Sequence, residues 1–189
     1  MFKYPVYHYN MEQFYDIGFG CSYRNIQTIL SCKKYYQDSS IVVPHITTIL
    51  SFFNPKYQEQ IDKKKTKLLW IEPFQIHQYF QTCYQMKGEN LIYMLKDENL
   101  QNMLSTTIEC YDIYTKDNFE DLLQKIRIHF ELSKLPVVID NGYYSYCIGD
   151  INEKELYIID PHQIDGSCIY TKPFSYLKNS FWMIYIPSE

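Results

Sequence analysis

Leu156-Tyr157-Ile158-Ile159-Asp160-Pro161-His162 reads as an apolar strand that runs straight into a stiff turn carrying two titratable side chains. Other strand-like runs flank it: Pro136 to Asp140, Tyr143 to Gly149, Ser167 to Thr171 and Phe181 to Pro187. Asn-Gly, Asp-Ile-Asn-Glu and Asp-Gly turn signals separate them. Links this short imply antiparallel pairing. Nearer the start, helical spacing dominates. Ile26, Ile29 and Leu30 mark a helix from Cys21 to about Tyr36, and Ile46, Ile49, Leu50 and Phe53 mark another after Pro44. Pro73 opens a third, to about Cys83, and Asn118 can cap a fourth lined by Phe119, Leu122, Leu123 and Ile126. Ile41-Val42-Val43 is strand-like, whereas Asn54 to Lys67, with Lys63-Lys64-Lys65, reads as a solvated loop. Helices early and strands late predict an α+β fold, its helices lying on a mostly antiparallel sheet.

Composition narrows the function. A chain of 189 residues fits one domain, 1–189, with a sizeable core. The net charge of -4 leaves no basic footprint for a phosphate backbone, so nucleic acid is not the expected partner. No apolar run approaches the ~18 residues of a membrane span, and the first residues lack a signal-peptide core. A soluble, cytoplasmic protein without direct membrane insertion is expected. The six cysteines (Cys21, Cys32, Cys83, Cys110, Cys147 and Cys168) are scattered without disulfide or zinc spacing, which predicts reduced thiols and no metal site. All but Cys21 read as small packed hydrophobes.

Cys21 follows Gly18-Phe19-Gly20 at a predicted helix start. The glycines allow a sharp turn, and the helix would aim free N–H groups and its positive dipole end at the sulfur. Such groups favour thiolate and can hold an oxyanion. Pro161 holds Asp160 and His162 at a fixed i, i+2 spacing, so the carboxylate could orient the imidazole. Each string has a blander reading: a Gly-rich turn before a buried cysteine, and a turn in which Asp160 binds backbone N–H groups beside an exposed His162. His45, His77 and His129 have no carboxylate at comparable spacing on a strand end and read as ordinary packed or surface residues.

Taken together the strings resemble a known family. The run from Tyr9 to Thr28 contains Asp16-Ile17-Gly18-Phe19-Gly20-Cys21-Ser22-Tyr23-Arg24-Asn25-Ile26-Gln27-Thr28. It is similar to the Asp-x-Gly-Trp-Gly-Cys-x-Tyr-Arg-x-Leu-Gln-Thr signature of the proteases specific for the ubiquitin-fold modifier. Asp160-Pro161-His162, Trp70-Ile71 and the segment from Pro136 to Gly149 resemble further motifs of that family, in order. The resemblance implies a papain-like peptidase that needs no cofactor and cleaves after the C-terminal glycine of the modifier, in maturation or deconjugation. An adaptor could bring it to membranes. Carried over, Cys21 is the nucleophile, His162 the general base and then acid, and Asp160 the orienting carboxylate. Tyr9, in Tyr7-His8-Tyr9, becomes the second oxyanion donor, and Gly142 lies beside the catalytic strand, where a side chain would narrow the substrate path. Phe19 departs from the family tryptophan, Asp140-Asn141-Gly142 from a more glycine-rich stretch, and Tyr143 to Cys147 from the family pattern. The autophagy cysteine proteases share the cysteine and Asp-Pro-His strings and are the alternative enzyme reading. A catalytically inactive modifier-binding module is the alternative from another class.

Overall fold

The computed structural model describes residues 2–95 and 111–188, so Cys110 lies outside the described residues. Six α-helices are described: α1 (Cys21–Tyr36), α2 (Ile46–Phe53), α3 (Tyr57–Asp62), α4 (Pro73–Tyr84), α5 (Phe119–Leu132) and α6 (Ser175–Lys178). The strands are β1 (Lys87–Tyr93), β2 (Asp112–Tyr114), β3 (Val137–Asp140), β4 (Ser145–Ile151), β5 (Glu155–Ile159), β6 (Ile169–Pro173) and β7 (Trp182–Ser188). They form one sheet in the order β2-β1-β7-β3-β4-β5-β6. The β1–β2 pair is parallel and the others are antiparallel. The α+β expectation holds.

Both faces of the sheet are covered. On one, Ile26, Ile29 and Leu30 of α1, Leu50 of α2 and Phe80 of α4 pack with Val138, Cys147, Ile159 and Tyr185. On the other, Leu122, Leu123 and Ile126 of α5 pack with Val137, Ile139, Ile148, Ile158 and Ile184. Neighbouring residues along a strand point to opposite faces. A strand buried on both sides is therefore apolar throughout rather than alternating, which explains the run from Leu156 to Ile159.

Several expectations are corrected. The supposed loop from Asn54 to Lys67 contains α3, because Tyr57 and Ile61, one turn apart, pack against the α1 core behind their lysine neighbours. Ile41-Val42-Val43 is an extended connection outside the sheet. Asn118 precedes α5 but does not cap it. Its carboxamide oxygen instead accepts the Thr115 N–H at 2.6 Å. The sequence places His129 after the fourth helix, whereas it lies inside α5, with its ring held on the Leu135 carbonyl at 2.6 Å. The pair β1–β2 had no counterpart in the sequence reading, because β1 begins with the polar Lys87-Gly88-Glu89-Asn90.

An ion cluster with a buried guanidinium ties residues 10–16 to α1. Arg24 donates from Nε to Asp16 Oδ2 at 2.7 Å and from Nη1 to Glu12 Oε2 at 2.8 Å, with a further bond from Nη2 to the Met11 carbonyl at 3.0 Å. Gln27 Nε2 donates to both Glu12 and the Pro44 carbonyl, and Glu12 also takes the Ile46 N–H at the start of α2. The side chains of Arg24 and Asp16 are wholly buried. Removing one member leaves a buried charge without compensation. Asp16→Ala is therefore expected to lower unfolding stability by about 3–5 kcal/mol in urea titration, with Arg24→Ala comparable.

Candidate active site

Cys21 is the first residue of α1 and half-buried. The turn before it is fixed from three sides. Gly20 N–H donates to the Asp16 carbonyl at 2.8 Å, the Trp70 indole N–H donates to the Gly18 carbonyl at 2.8 Å, and Gly18 sits at φ +89°. A Cβ on Gly20 would fall 2.1 Å from Asp16 Oδ2, so the close approach to the ion cluster demands glycine there. First-turn N–H groups of a helix have no intrahelical partner, and α1 directs them and its positive end toward the sulfur.

The second half of the site comes from the end of β5. His162 presents Nδ1 to Asp160 Oδ1 at 2.6 Å, and the same oxygen accepts the His162 backbone N–H at 2.9 Å. The bland reading of this turn is thus half right. Asp160 does bind backbone, and it grips the ring as well. With Nδ1 on the carboxylate, the imidazole turns its other edge to the Cys21 thiol, with which it is hydrogen-bonded. Burial disfavours the imidazolium, but the bonds to Asp160 and Cys21 outweigh it and push His162 up to about 9. Burial alone would raise Asp160, but the His162 ring and backbone hydrogen bonds hold its carboxyl below the usual range.

Tyr9 joins the two halves. Its N–H donates to the Pro161 carbonyl at 2.8 Å, and its ring meets His162 edge-on at 5.1 Å. Its hydroxyl is hydrogen-bonded to the Cys21 side chain and the Gly18 backbone, while burial and the neighbouring Cys21 raise its pKa and keep it a protonated donor. Cys21, His162, Asp160 and Tyr9, singled out separately from sequence, are therefore brought together.

Cys21, Tyr9 and His162 open on a cleft of about 760 Å3. Gly142 lines it at φ +85°, with its N–H on Asp140 Oδ1 at 2.7 Å. No protein atom lies within 4 Å of a Cβ built there, so the backbone conformation, rather than crowding, is what calls for glycine. The sequence reading missed Asp140 itself. Burial pushes its carboxyl up to about 6, against the lowering effect of the Gly142 N–H and the Ser145 hydroxyl. It also missed Arg24 and Gln27, although both belong to the quoted motif. A charged or amide side chain on the apolar face of α1, i+3 and i+6 from Cys21, was the available signal. Ordinary roles suffice for the other histidines: His45 caps α2 and His77 stacks on Tyr185. Among the described residues no group of acidic, histidine and cysteine side chains could hold a metal ion.

These shifts set a pH dependence. Because His162 is raised from the ordinary 6.5 to about 9, its imidazolium contributes stability that is full below about 6.5 and lost as pH rises through about 9. Asp160 acts oppositely: its contribution is present above the ordinary carboxylate range and lost as pH falls through its depressed value. The His162 Cε1–H resonance is expected to titrate near 9. Asp160→Asn should bring that midpoint down by a unit or more, on the order of the charge-assisted bond it removes.

A family model described as peptidase family C78 matches residues 1–167. A probable Ufm1-specific protease of Oryza sativa subsp. japonica is 25% identical over 212 residues, covering 99% of this chain and 29% of its own length. A probable Ufm1-specific protease 2 of Drosophila pseudoobscura pseudoobscura is 24% identical, with 99% of this chain and 30% of the relative covered. The chain thus spans less than a third of the length of these curated relatives. The crystal structure of UfSP from C. elegans superposes with a TM-score of 0.67 at 19% identity, covering 98% of this chain and 32% of that one, so the two share the papain-like fold. With the match running from residue 1 to the far side of the Asp160-His162 turn, the chain belongs to peptidase family C78.

Proposed function

We propose that this chain is a thiol peptidase domain that cleaves after the C-terminal glycine of a ubiquitin-fold modifier, maturing its precursor or releasing it from lysine. The observation that carries the reading is the continuous hydrogen-bonded set Asp160–His162–Cys21, with the Tyr9 hydroxyl on the same sulfur. Substrate identity is supported by the relatives, named as Ufm1-specific proteases. The mouth of the cleft supports a polypeptide substrate, since Ile17, Trp70, Tyr143, Tyr144 and Ile164 line it while remaining exposed.

In this reading the Cys21 thiolate attacks the carbonyl carbon of the terminal glycine, and the carbonyl electron pair moves onto oxygen. The Cys21 N–H and the Tyr9 hydroxyl hold that oxyanion. Collapse breaks the C–N bond as the His162 imidazolium gives its proton to the leaving amine, leaving a thioester. Neutral His162 then takes a proton from water, whose oxygen attacks the thioester and restores Cys21. Asp160 keeps the imidazole oriented through both transfers. Gly142 lines the path taken by the substrate tail. No metal or cofactor enters the steps. The free thiols at Cys21, Cys32, Cys83, Cys147 and Cys168 suit the reducing cytoplasm, and an adaptor would be the means of reaching a membrane.

A vinyl-sulfone or propargyl probe built on the glycine-terminated modifier should add covalently to the unmutated chain and not to Cys21→Ala, as read by intact mass. An adduct only with an autophagy-modifier probe would transfer the assignment to that substrate. Binding that survives Cys21→Ala without turnover by the unmutated chain would make this a binding module. Within the proposed mechanism, Tyr9→Phe should lower kcat by about 100-fold or more in a fluorogenic cleavage assay, the effect of losing one oxyanion donor.

A further inference from the structure

The orienting carboxylate is itself held from a neighbouring strand. Asp160 Oδ1 is committed to His162, through the ring at 2.6 Å and the backbone N–H at 2.9 Å. Its other oxygen, Oδ2, accepts the Tyr170 hydroxyl of β6 at 3.1 Å, while Gln163 Nε2 reaches it only at 3.5 Å. A carboxylate turns readily about its last torsion, so one bonded oxygen alone does not fix its plane. We infer that Tyr170 is a positioning residue for the proposed reaction. Its hydroxyl locks the Asp160 carboxylate plane so that Oδ1 faces the His162 ring.

The surroundings suit that task. Register places Tyr170 opposite Ile158 on β5, two residues before Asp160, so the phenol comes from a rigid ladder rather than from the exposed loop between them. The Lys172 ammonium lies over the Tyr170 and Tyr176 rings at 5.3 and 5.5 Å, which pins the ring from outside. Burial and the Asp160 charge raise the Tyr170 pKa, so the phenol stays a donor wherever the enzyme works. Other groups also face the pair. Tyr146, Tyr176 and Cys168 lie near Asp160, and Cys21, Tyr9, Tyr144, Tyr146 and Asp140 lie near the imidazole. Among the described residues Tyr170 is the side chain from another strand that hydrogen-bonds the carboxylate.

The inference rests on the peptidase reading for its kinetic consequence but not for its electrostatic one. Without the bond on Oδ2 the carboxylate is free to turn, and the hold of Oδ1 on the imidazolium weakens. Tyr170→Phe keeps the ring and removes the donor. It should lower the His162 titration midpoint, followed by NMR of the Cε1–H, and lower kcat roughly tenfold with KM within about twofold. Incorporating 3-fluorotyrosine at position 170, a stronger donor of nearly the same shape, should move the midpoint the other way. Tyr157→Phe, on β5 and outside the site, should leave both readouts at their starting values. An imidazole midpoint unchanged in both Tyr170 variants would overturn the role, whatever the activity. If the unmutated chain cleaves no modifier conjugate, the peptidase reading fails, while the two midpoints still decide whether Tyr170 governs the Asp160–His162 bond.

Discussion

Five oxygens converge on two side chains of α1. Asp16, Glu12 and the Met11 and Pro44 carbonyls all take hydrogen bonds from Arg24 or Gln27, and the guanidinium at the centre is fully buried. A charge in that position must be matched completely or it expels the segment that surrounds it. Residues 10–16 are accordingly wrapped on α1, although they contain little regular structure of their own and Asn10, Glu12 and Gln13 all sit at positive φ. Side-chain bonds, rather than a helix or strand ladder, give that stretch its shape.

The geometry of the candidate site descends from this clamp. Asp16 faces Arg24 with its carboxylate and the Gly20 N–H with its carbonyl, so the turn that delivers Cys21 is set by the same residue that neutralises the guanidinium. The segment then continues back to Tyr9, whose N–H reaches Pro161 on the other half of the site. Cys21 and His162 thus come from α1 and the end of β5, elements more than a hundred residues apart in sequence, and the segment from Tyr9 to Gly20 spans the gap between them. Ser22 and Tyr23 extend the same logic by donating to the Ile71 and Leu69 carbonyls, which fixes the wall that carries Trp70.

Much of this was legible because the chemistry comes in short strings. Asp160-Pro161-His162 states its own spacing, and Gly18-Phe19-Gly20-Cys21 states its turn. Strands β3, β4, β5 and β7 were readable because a sheet covered on both faces makes apolar runs between turn residues. What stayed hidden depends on partners remote in sequence. Nothing near Arg24 announces that Glu12 and Asp16 will meet it, and Tyr170 is one tyrosine among 20 until β6 lays it beside Asp160. Strand β1 was hidden for a related reason. Its first half is polar, and its identity as a strand is imposed by seven residues of pairing with β7.

That pairing has a bearing on how the chain folds. Of the described strands β7 comes latest in sequence, yet it lies in the interior of the sheet, between β1 and β3. Until residues 182–188 have emerged from the ribosome, the strands before them form two separate patches with bare edges, and α4 and α5 have only part of the surface they cover. Contacts of such long sequence separation form slowly, and open edges invite pairing with other chains. Cys21 and the Asp160–His162 turn therefore share a finished sheet only once residues 182–188 have joined β1 to β3.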